Sequence, residues 1–404
     1  MANGASTPTP TPQFPTHNAP RVWLLTSGDS LMGISIARRI LDHGDYVVSG
    51  IIPADFESEG TRSQKFKAFL SEVGRKNGWK ERLKVVALDV RVVAQCQAAV
   101  AEAVRTFRRI DILFCCTSEA VVGTVEELAA NRRTLTLVRD QFEKNFFGPM
   151  NIIKAVIPQM RSQMNGHIIV LTGITGHLGT PGLSMYCASG WALEGFCDSI
   201  AYEVAPFNIK LTIVQASVEI GILTNKITSV PPMKEYSREF GHTAPIFRGI
   251  LDGLLNRLPG IRAQYPPPPE KEIHSPSSEA ERQSGPYLLS RDEVVSLYPP
   301  LSHAHTEKLI AETVHALTAI GGHENPPARH IVGVEGVASV KEKLKTVSEE
   351  LEEFVETSTS ADIGRYGTSA GQASSVVDVD IKDLEGEALD ASLGVHSGPE
   401  SAPG

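Results

Sequence analysis

The feature that most constrains this 404-residue chain is a regular alternation of short apolar, β-rich runs with stretches of helical periodicity. The runs are Arg21–Leu25, Tyr46–Ile52, Lys84–Val90, Ile112–Cys116, His167–Thr172, Ile209–Val214 and His330–Val334. Helical spacing of apolar residues fills Ile34–Leu41, Ala94–Phe107, Gln141–Met160 and Ser184–Val204, and returns at His305–Ile320 and Val340–Glu356. A strand with no polar alternation has to be covered on both faces, and helices between such strands supply that cover. The expectation is an α/β fold with a doubly wound parallel sheet, its ligand site outside the carboxyl ends of the strands.

Composition narrows the function classes. Hydrophobic residues make up 41% and charged residues 21% of the chain, enough to bury a core and ordinary for a globular protein. No run of about 18 apolar residues occurs, so no membrane span is expected. The first twenty residues have neither a positive n-region nor an apolar h-region, so no secretory signal is expected. Five cysteines (Cys96, Cys115, Cys116, Cys187, Cys197) lack metal spacing. They suit a reducing, cytoplasmic compartment as small buried apolar residues, and no metal is expected. Cys115 and Cys116 are adjacent on a strand and so point to opposite faces, which argues against one shared ion.

The net charge of −9 is concentrated at one end. From Glu349 onward thirteen Asp or Glu face only Arg365 and Lys382, which leaves the main domain near neutrality. No patch there argues for nucleic acid. A local basic excess at 62–84 reads as a solvated helix and loop. Residues 1–20, rich in Pro and Thr, and 357–404, acidic and rich in Ser and Gly, read as disordered flanks of a domain at 21–356. Between 222 and 300 the alternation breaks, and this insertion is either a substrate lid or a partly disordered excursion. Val340, Leu344, Val347, Leu351 and Phe354 make an apolar seam of two heptads, expected to pack on the parent domain.

Several motifs then fall in a familiar order. The first strand runs into Thr26-Ser27-Gly28-Asp29-Ser30-Leu31-Met32-Gly33, and Leu88-Asp89-Val90 closes the third. Asn145-Phe146-Phe147-Gly148 opens a helix, and Tyr186-Cys187-Ala188-Ser189 opens another. In this order the chain resembles the short-chain dehydrogenase/reductase family, over 21–222 well and 305–356 loosely. The resemblance implies a Rossmann-type sheet with a C-terminal helical extension, and NADP or NAD as cofactor. It implies Thr26, Gly28, Gly33 and Asp89 as cofactor-binding residues, Tyr186 and Asn145 as catalytic residues, and a homodimer as the default assembly.

The same alignment exposes departures. The family's TGxxxGxG glycines let the backbone approach a pyrophosphate beside a helix N-terminus. Here Ser27 and Leu31 take two of the three glycine positions, Gly28 is displaced by one, and a positive φ at Leu31 would be strained. Cys115-Cys116-Thr117-Ser118 replaces the family's NNAG turn. Counting back thirteen residues from Tyr186 gives Gly173 where the family has Ser, and counting forward four gives Gly190 where it has Lys. Without that ammonium the phenol stays near a pKa of about 10, which withholds roughly 4 kcal/mol of driving force at neutral pH. Loss of the Ser hydrogen bond removes a further contribution on the order of 2–4 kcal/mol.

Thr172, Thr175, His177 and Ser189 are the nearby substitutes, while Lys154 falls about 180° around its helix from Asn145. After the second strand, Gly50-Ile51-Ile52-Pro53 offers neither an acid for a ribose nor an immediate Arg for a 2′-phosphate, although Arg62 lies close behind. Two readings follow. The favoured one is a binding or regulatory member of the family with weak or absent hydride transfer. The alternative is a divergent NADP(H)-dependent oxidoreductase acting on a small carbonyl or alcohol.

Overall fold

The strand β1 (Val22–Leu25) has no exposed residue, because it lies in the middle of a sheet covered on both sides. Around it stand β2 (Tyr46–Ile51), β3 (Leu83–Ala87), β4 (Ile112–Cys115), β6 (Gly166–Gly173), β7 (Ile209–Ala216) and β9 (Arg329–Ile331). Their order is β3-β2-β1-β4-β6-β7-β9, with every neighbouring pair parallel. This is a Rossmann-type sheet whose order reverses between β1 and β4, which places a crevice at their carboxyl ends. The computed structural model describes residues 13–58, 60–216, 226–230, 233–236 and 303–359. Most of the insertion expected at 222–300, residues 1–12 and the tail from 360 lie outside the described residues.

The helices are α1 (Leu31–His43), α2 (Pro53–Glu57), α3 (Thr61–Arg75), α4 (Val93–Phe107), α5 (Val125–Ala129), α6 (Arg132–Phe142), α7 (Gly148–Gln163), α8 (Ser184–Val204), α9 (His303–Ile320), α10 (Val334–Glu353) and α11 (Val355–Thr359). Successive strand residues feed two separate cores, as a side-chain period of two requires. Trp23, Leu25, Phe114 and Ile169 pack with Ile36 of α1, Phe66 of α3 and Leu317 of α9. Leu24, Leu113 and Val170 pack on the other face with Ala99 of α4, Val156 of α7 and Cys197 of α8. Cys115 joins the second core and Cys116 the first, so the adjacent thiols do point apart. All five cysteines are free and buried. Burial pushes the Cys96 and Cys116 thiols up to about 11 and Cys197 to about 12.

The seven expected strands coincide with the seven strands of the main sheet. Other expectations need correction. A second, two-stranded parallel sheet pairs β5 (Glu119–Val122) with β8 (Lys226–Ser229), each only four residues and easily lost among turns. The helix expected over 141–160 is two helices, α6 and α7, joined by a π-helical turn at Glu143–Phe147. Of the N-terminal segment expected to be disordered, residues 13–20 lie on the domain, with the Phe14 ring stacked on His43 at 4.1 Å. The chain divides into two compact units, Met1–Thr346 and Val347–Gly404. The heptad seam is not one packed face: in the first unit Val340 is buried and Leu344 exposed, and in the second Leu351 and Phe354 are exposed. No helix among the described residues is long and apolar enough to cross a membrane.

Asp111 holds the amino ends of three strands in register. Its carboxylate accepts the Val22 N–H at 2.9 Å, its own N–H donates to the Val22 carbonyl at 2.9 Å, and its carbonyl accepts the His167 N–H at 2.8 Å. Arg109 grips the same carboxylate through Nε and Nη2. Asp111→Ala strands the buried Val22 amide and should cost about 2–3 kcal/mol. Thermal unfolding checks this: a drop of several degrees in Tm is expected, and an unchanged Tm would remove Asp111 from this role.

Candidate active-site cleft

The carboxyl ends of β1, β2, β3 and β4 converge on one cleft. Thr26, just past β1, accepts the Cys116 N–H at 3.0 Å and the Thr117 hydroxyl at 2.9 Å through its Oγ1, so it ties the ends of β1 and β4 together. The loop that follows is held by its own polar groups. Ser30 donates to the Ser27 carbonyl at 2.7 Å and, as N-cap of α1, accepts the Gly33 N–H at 2.9 Å. Gly28 is needed for close packing, since an added Cβ would lie 1.9 Å from Ser49 Oγ. Gly33 is needed for the same reason, with an added Cβ 2.2 Å from the Ser27 carbonyl oxygen. The backbone strain expected at Leu31 does not arise. Leu31 is the first residue of α1, and among the described residues the non-glycine positions at positive φ are Arg108, Met164 and Asn208.

A side chain read from sequence as solvated surface reaches into this loop. Arg62, at the start of α3, donates to both Asp29 carboxylate oxygens at 2.7 and 2.5 Å and to Ser27 Oγ at 2.7 Å. Burial alone would lower the Arg62 guanidinium, but its bonds to Asp29 outweigh that and the net direction is up. Asp29 is 2% exposed. Lys65 and Lys67, on the same helix, are exposed as expected for a solvated face. The cleft bounded by Thr26, Ser27, Asp29, Arg62, Asp89 and Lys144 is narrow, with a volume of about 10 Å³, about what a site must offer to hold a single water.

Asp89, just beyond β3, is gripped through both carboxylate oxygens by Arg91 at 2.7–3.2 Å. Burial would raise this carboxyl, but the Arg91 bonds more than compensate and hold it below the usual range. Lys144 stands on the π-turn, 3.3 Å from the Glu119 carboxylate. Sequence reasoning passed over Lys144 and Asp29, although each adjoins a residue of a recognised motif.

The second half of the site gathers around Tyr186. Asn145 accepts the Glu119 N–H at 2.7 Å and donates to the Glu119 carbonyl at 2.8 Å, closing one end of β5 as a pairing strand would. It also donates to Ser189 Oγ at 3.3 Å, and Ser189 donates to the Tyr186 carbonyl at 2.8 Å. Asn145, Tyr186 and Ser189 are therefore brought together. The buried Tyr186 phenol is hydrogen-bonded with Ser118, from the turn that replaces the family's NNAG. Burial pushes its pKa above the ordinary tyrosine value, and Ser118 offsets only part of that. No Lys or Arg contributes to its titration among the described residues.

Position 190 on α8 opens onto free space, with nothing within 4 Å of an added Cβ. At Gly173 an added Cβ would lie 3.2 Å from Thr175 Oγ1, so the Thr175 hydroxyl stands beside the position where the family carries Ser. Thr172 points the other way and donates to Glu194 Oε1 at 2.9 Å. His177 is engaged with Gln215 at 3.0 Å, and Gln215 donates to both oxygens of Glu194. Lys154 is exposed. Of the sequence-proposed substitutes, Thr175 and Ser189 alone lie at the site.

Comparison with known proteins agrees with this geometry. The short chain dehydrogenase family model matches residues 21–225. Oxidoreductase BOA17 of Botryotinia fuckeliana is 31% identical over 231 residues, 57% of this chain and 76% of that protein. Human retinol dehydrogenase 8 is 31% identical over 173 residues, 42% of this chain and 52% of that protein. A solved short-chain dehydrogenase from Streptomyces avermitilis superposes with a TM-score of 0.58 at 23% identity, covering 85% of this chain and all of that one. The chain belongs to the short-chain dehydrogenase/reductase family, a family of dinucleotide-dependent oxidoreductases.

The buried phenol yields a direct prediction. The rise in tyrosinate absorbance of the wild type minus that of Tyr186→Phe should develop only above pH 10 while the protein stays folded. A difference signal with a midpoint near neutrality would show that some other group ionises this ring.

Proposed function

We propose that this chain is a short-chain dehydrogenase scaffold that acts as a binding or regulatory protein with weak or absent hydride transfer. The observation that carries the reading is the open space at position 190, one helical turn after a buried and protonated Tyr186. A phenol donates or accepts a proton in the transition state only if its pKa can approach the working pH. Burial without a cation moves it the other way.

The residues of the cleft do not fit a dinucleotide as they are arranged. Helix N-termini hold phosphate through free N–H groups, but here the Gly33 N–H is already bonded to Ser30. The Asp29 carboxylate, inside the same loop, opposes an incoming anion. Arg62, which could offset it, is engaged with Asp29 and Ser27. No step is therefore assigned to NADP or NAD in this arrangement.

The second reading, a divergent NADP(H)-dependent oxidoreductase, draws on two specific features. Arg62 and Lys144 place two cations on the cleft, and if Asp29 released Arg62 the guanidinium would suit a 2′-phosphate. The relatives are named as an oxidoreductase and a retinol dehydrogenase, which suits alcohol or carbonyl chemistry. On this reading Thr26, Gly28, Gly33 and Asp89 line the cofactor, Asn145 and Tyr186 serve the reaction, and Trp191, 54% exposed on α8, offers a surface for a homodimer.

Restoring the missing side chains separates the readings. Gly190→Lys enters open space in a helix and should leave Tm unchanged or slightly higher, and Gly173→Ser needs only a small yield by Thr175. The wild type should show no NADPH-dependent carbonyl reduction, and the double variant should stay silent as well because its loop is unchanged; NADPH-dependent turnover in the double variant would favour the second reading. Wild-type turnover at about 1 s⁻¹ or faster, an ordinary enzymatic rate, would contradict the proposal.

A further inference from the structure

At the opposite end of the sheet, the amino ends of the strands carry a cluster that the cleft does not use. His17 comes from the N-terminal segment, and His43 and Asp45 flank Gly44 in the turn from α1 to β2. Gly44 adopts φ +103°, a left-handed backbone that a side chain would strain, and this sharp turn sets His43 and Asp45 beside one another. His17 Nε2 lies 2.9 Å from His43 Nε2 and 3.5 Å from Asp45 Oδ1. Ligand atoms from all three residues lie within 4.8 Å of one another. Two ligand atoms each about 2.0–2.1 Å from a shared ion, at about 90–115° to each other, lie about 2.9–3.5 Å apart. The two spacings from His17 match.

Two further observations point to a cation. His17 Nδ1 is 2.6 Å from the Ala19 carbonyl, and since a carbonyl only accepts, that nitrogen carries the proton. The neutral ring then presents a lone pair on Nε2 toward His43 and Asp45, with the backbone carbonyl orienting it as in most histidine metal ligands. The Asp45 side chain is fully buried, and although Oδ1 accepts the Arg21 N–H at 2.9 Å, Oδ2 has no partner. A buried carboxylate oxygen left without a hydrogen bond is costly, and a bound cation is a direct remedy. The Arg21 guanidinium, whose charge also acts on Asp45, donates to the Gly321 carbonyl at 3.0 Å.

We propose that His17, His43 and Asp45 form a binding site for a divalent transition-metal ion, zinc by its ligand chemistry, that fastens residues 13–20 to the turn between α1 and β2. Two imidazoles and one carboxylate are a borderline-soft donor set that suits zinc and leaves a coordination position for water. His17 also lines a cavity of about 360 Å³, which opens beside the triad on the His17 side. Phe14, stacked on His43 with an interplanar angle of 18° and set edge-on to Trp23 at 6.4 Å, holds the ring in place. In the metal-free protein one proton lies between the two Nε2 atoms. The ion takes its place as His43 moves its proton to Nδ1. The five buried cysteines take no part.

The test uses the full chain stripped with a chelator, then titrated with Zn²⁺ against a chromophoric competitor and, separately, with Co²⁺ followed by visible absorption. One Zn²⁺ per chain with a Kd below about 1 μM is expected, together with a rise in Tm of about 5 °C at saturating metal. His17→Gln and His43→Gln, both at partly exposed positions, should each weaken binding at least tenfold and alter the Co²⁺ spectrum. His323→Gln, on the cavity wall but outside the triad, should change neither. No binding below about 1 mM, or equal affinity and spectrum in His17→Gln and His43→Gln, would overturn the site.

Discussion

The ion pair between Arg62 and Asp29 governs what this fold can hold. It joins the start of α3 to the loop between β1 and α1, at the crevice where a doubly wound sheet offers its ligand site. Because Asp29 is buried and Ser27 shares the same guanidinium, separating the pair leaves a carboxylate without its counter-charge. Within the loop Arg62 thus has an internal anion as its partner. Ser30, in the same loop, caps α1. Gly28 and Gly33 now serve close packing within the protein.

Around Tyr186 the logic is similar. Tyr186 keeps polar neighbours: Asn145 on its π-turn, Ser189 on the next turn of α8, and Ser118, from the replaced turn, at the phenol. What is missing is charge. The scaffold does not depend on side chains at positions 173 and 190, because an added Cβ meets nothing within 4 Å at Gly190 and only Thr175 and the Ala216 carbonyl at Gly173. Fold and chemistry separate at those two positions.

The five inner strands of the main sheet were legible because both faces are buried, which writes each one as an apolar run such as Val22–Leu25 or Ile168–Leu171, while the edge strands β3 and β9 are only partly buried. Helix α8 was legible to the residue from its apolar spacing. The pair β5 and β8 was not, since four-residue strands at the margin carry too little pattern. Nor was the π-turn, which depends on backbone hydrogen bonding around Asn145 that no side-chain period reports. Tyr186, Asn145, Gly173 and Gly190 were singled out from motif spacing, and the fold links Asn145 to Tyr186 through Ser189. The roles of Arg62 and Lys144 were not legible in this way, because a cation in a basic helix or beside a motif looks like surface until the fold turns it inward. His17, in a stretch read as disordered, gave no sign of meeting His43 and Asp45.

The central claim is that the chain's own groups fill the loop where a family member would hold phosphate. Isothermal titration calorimetry of the full chain with NADPH, and with NADH, tests it most directly. The account predicts no saturable heat at ligand concentrations up to about 1 mM, a binding free energy weaker than about −4 kcal/mol. Saturable binding of either dinucleotide in the micromolar range would contradict it.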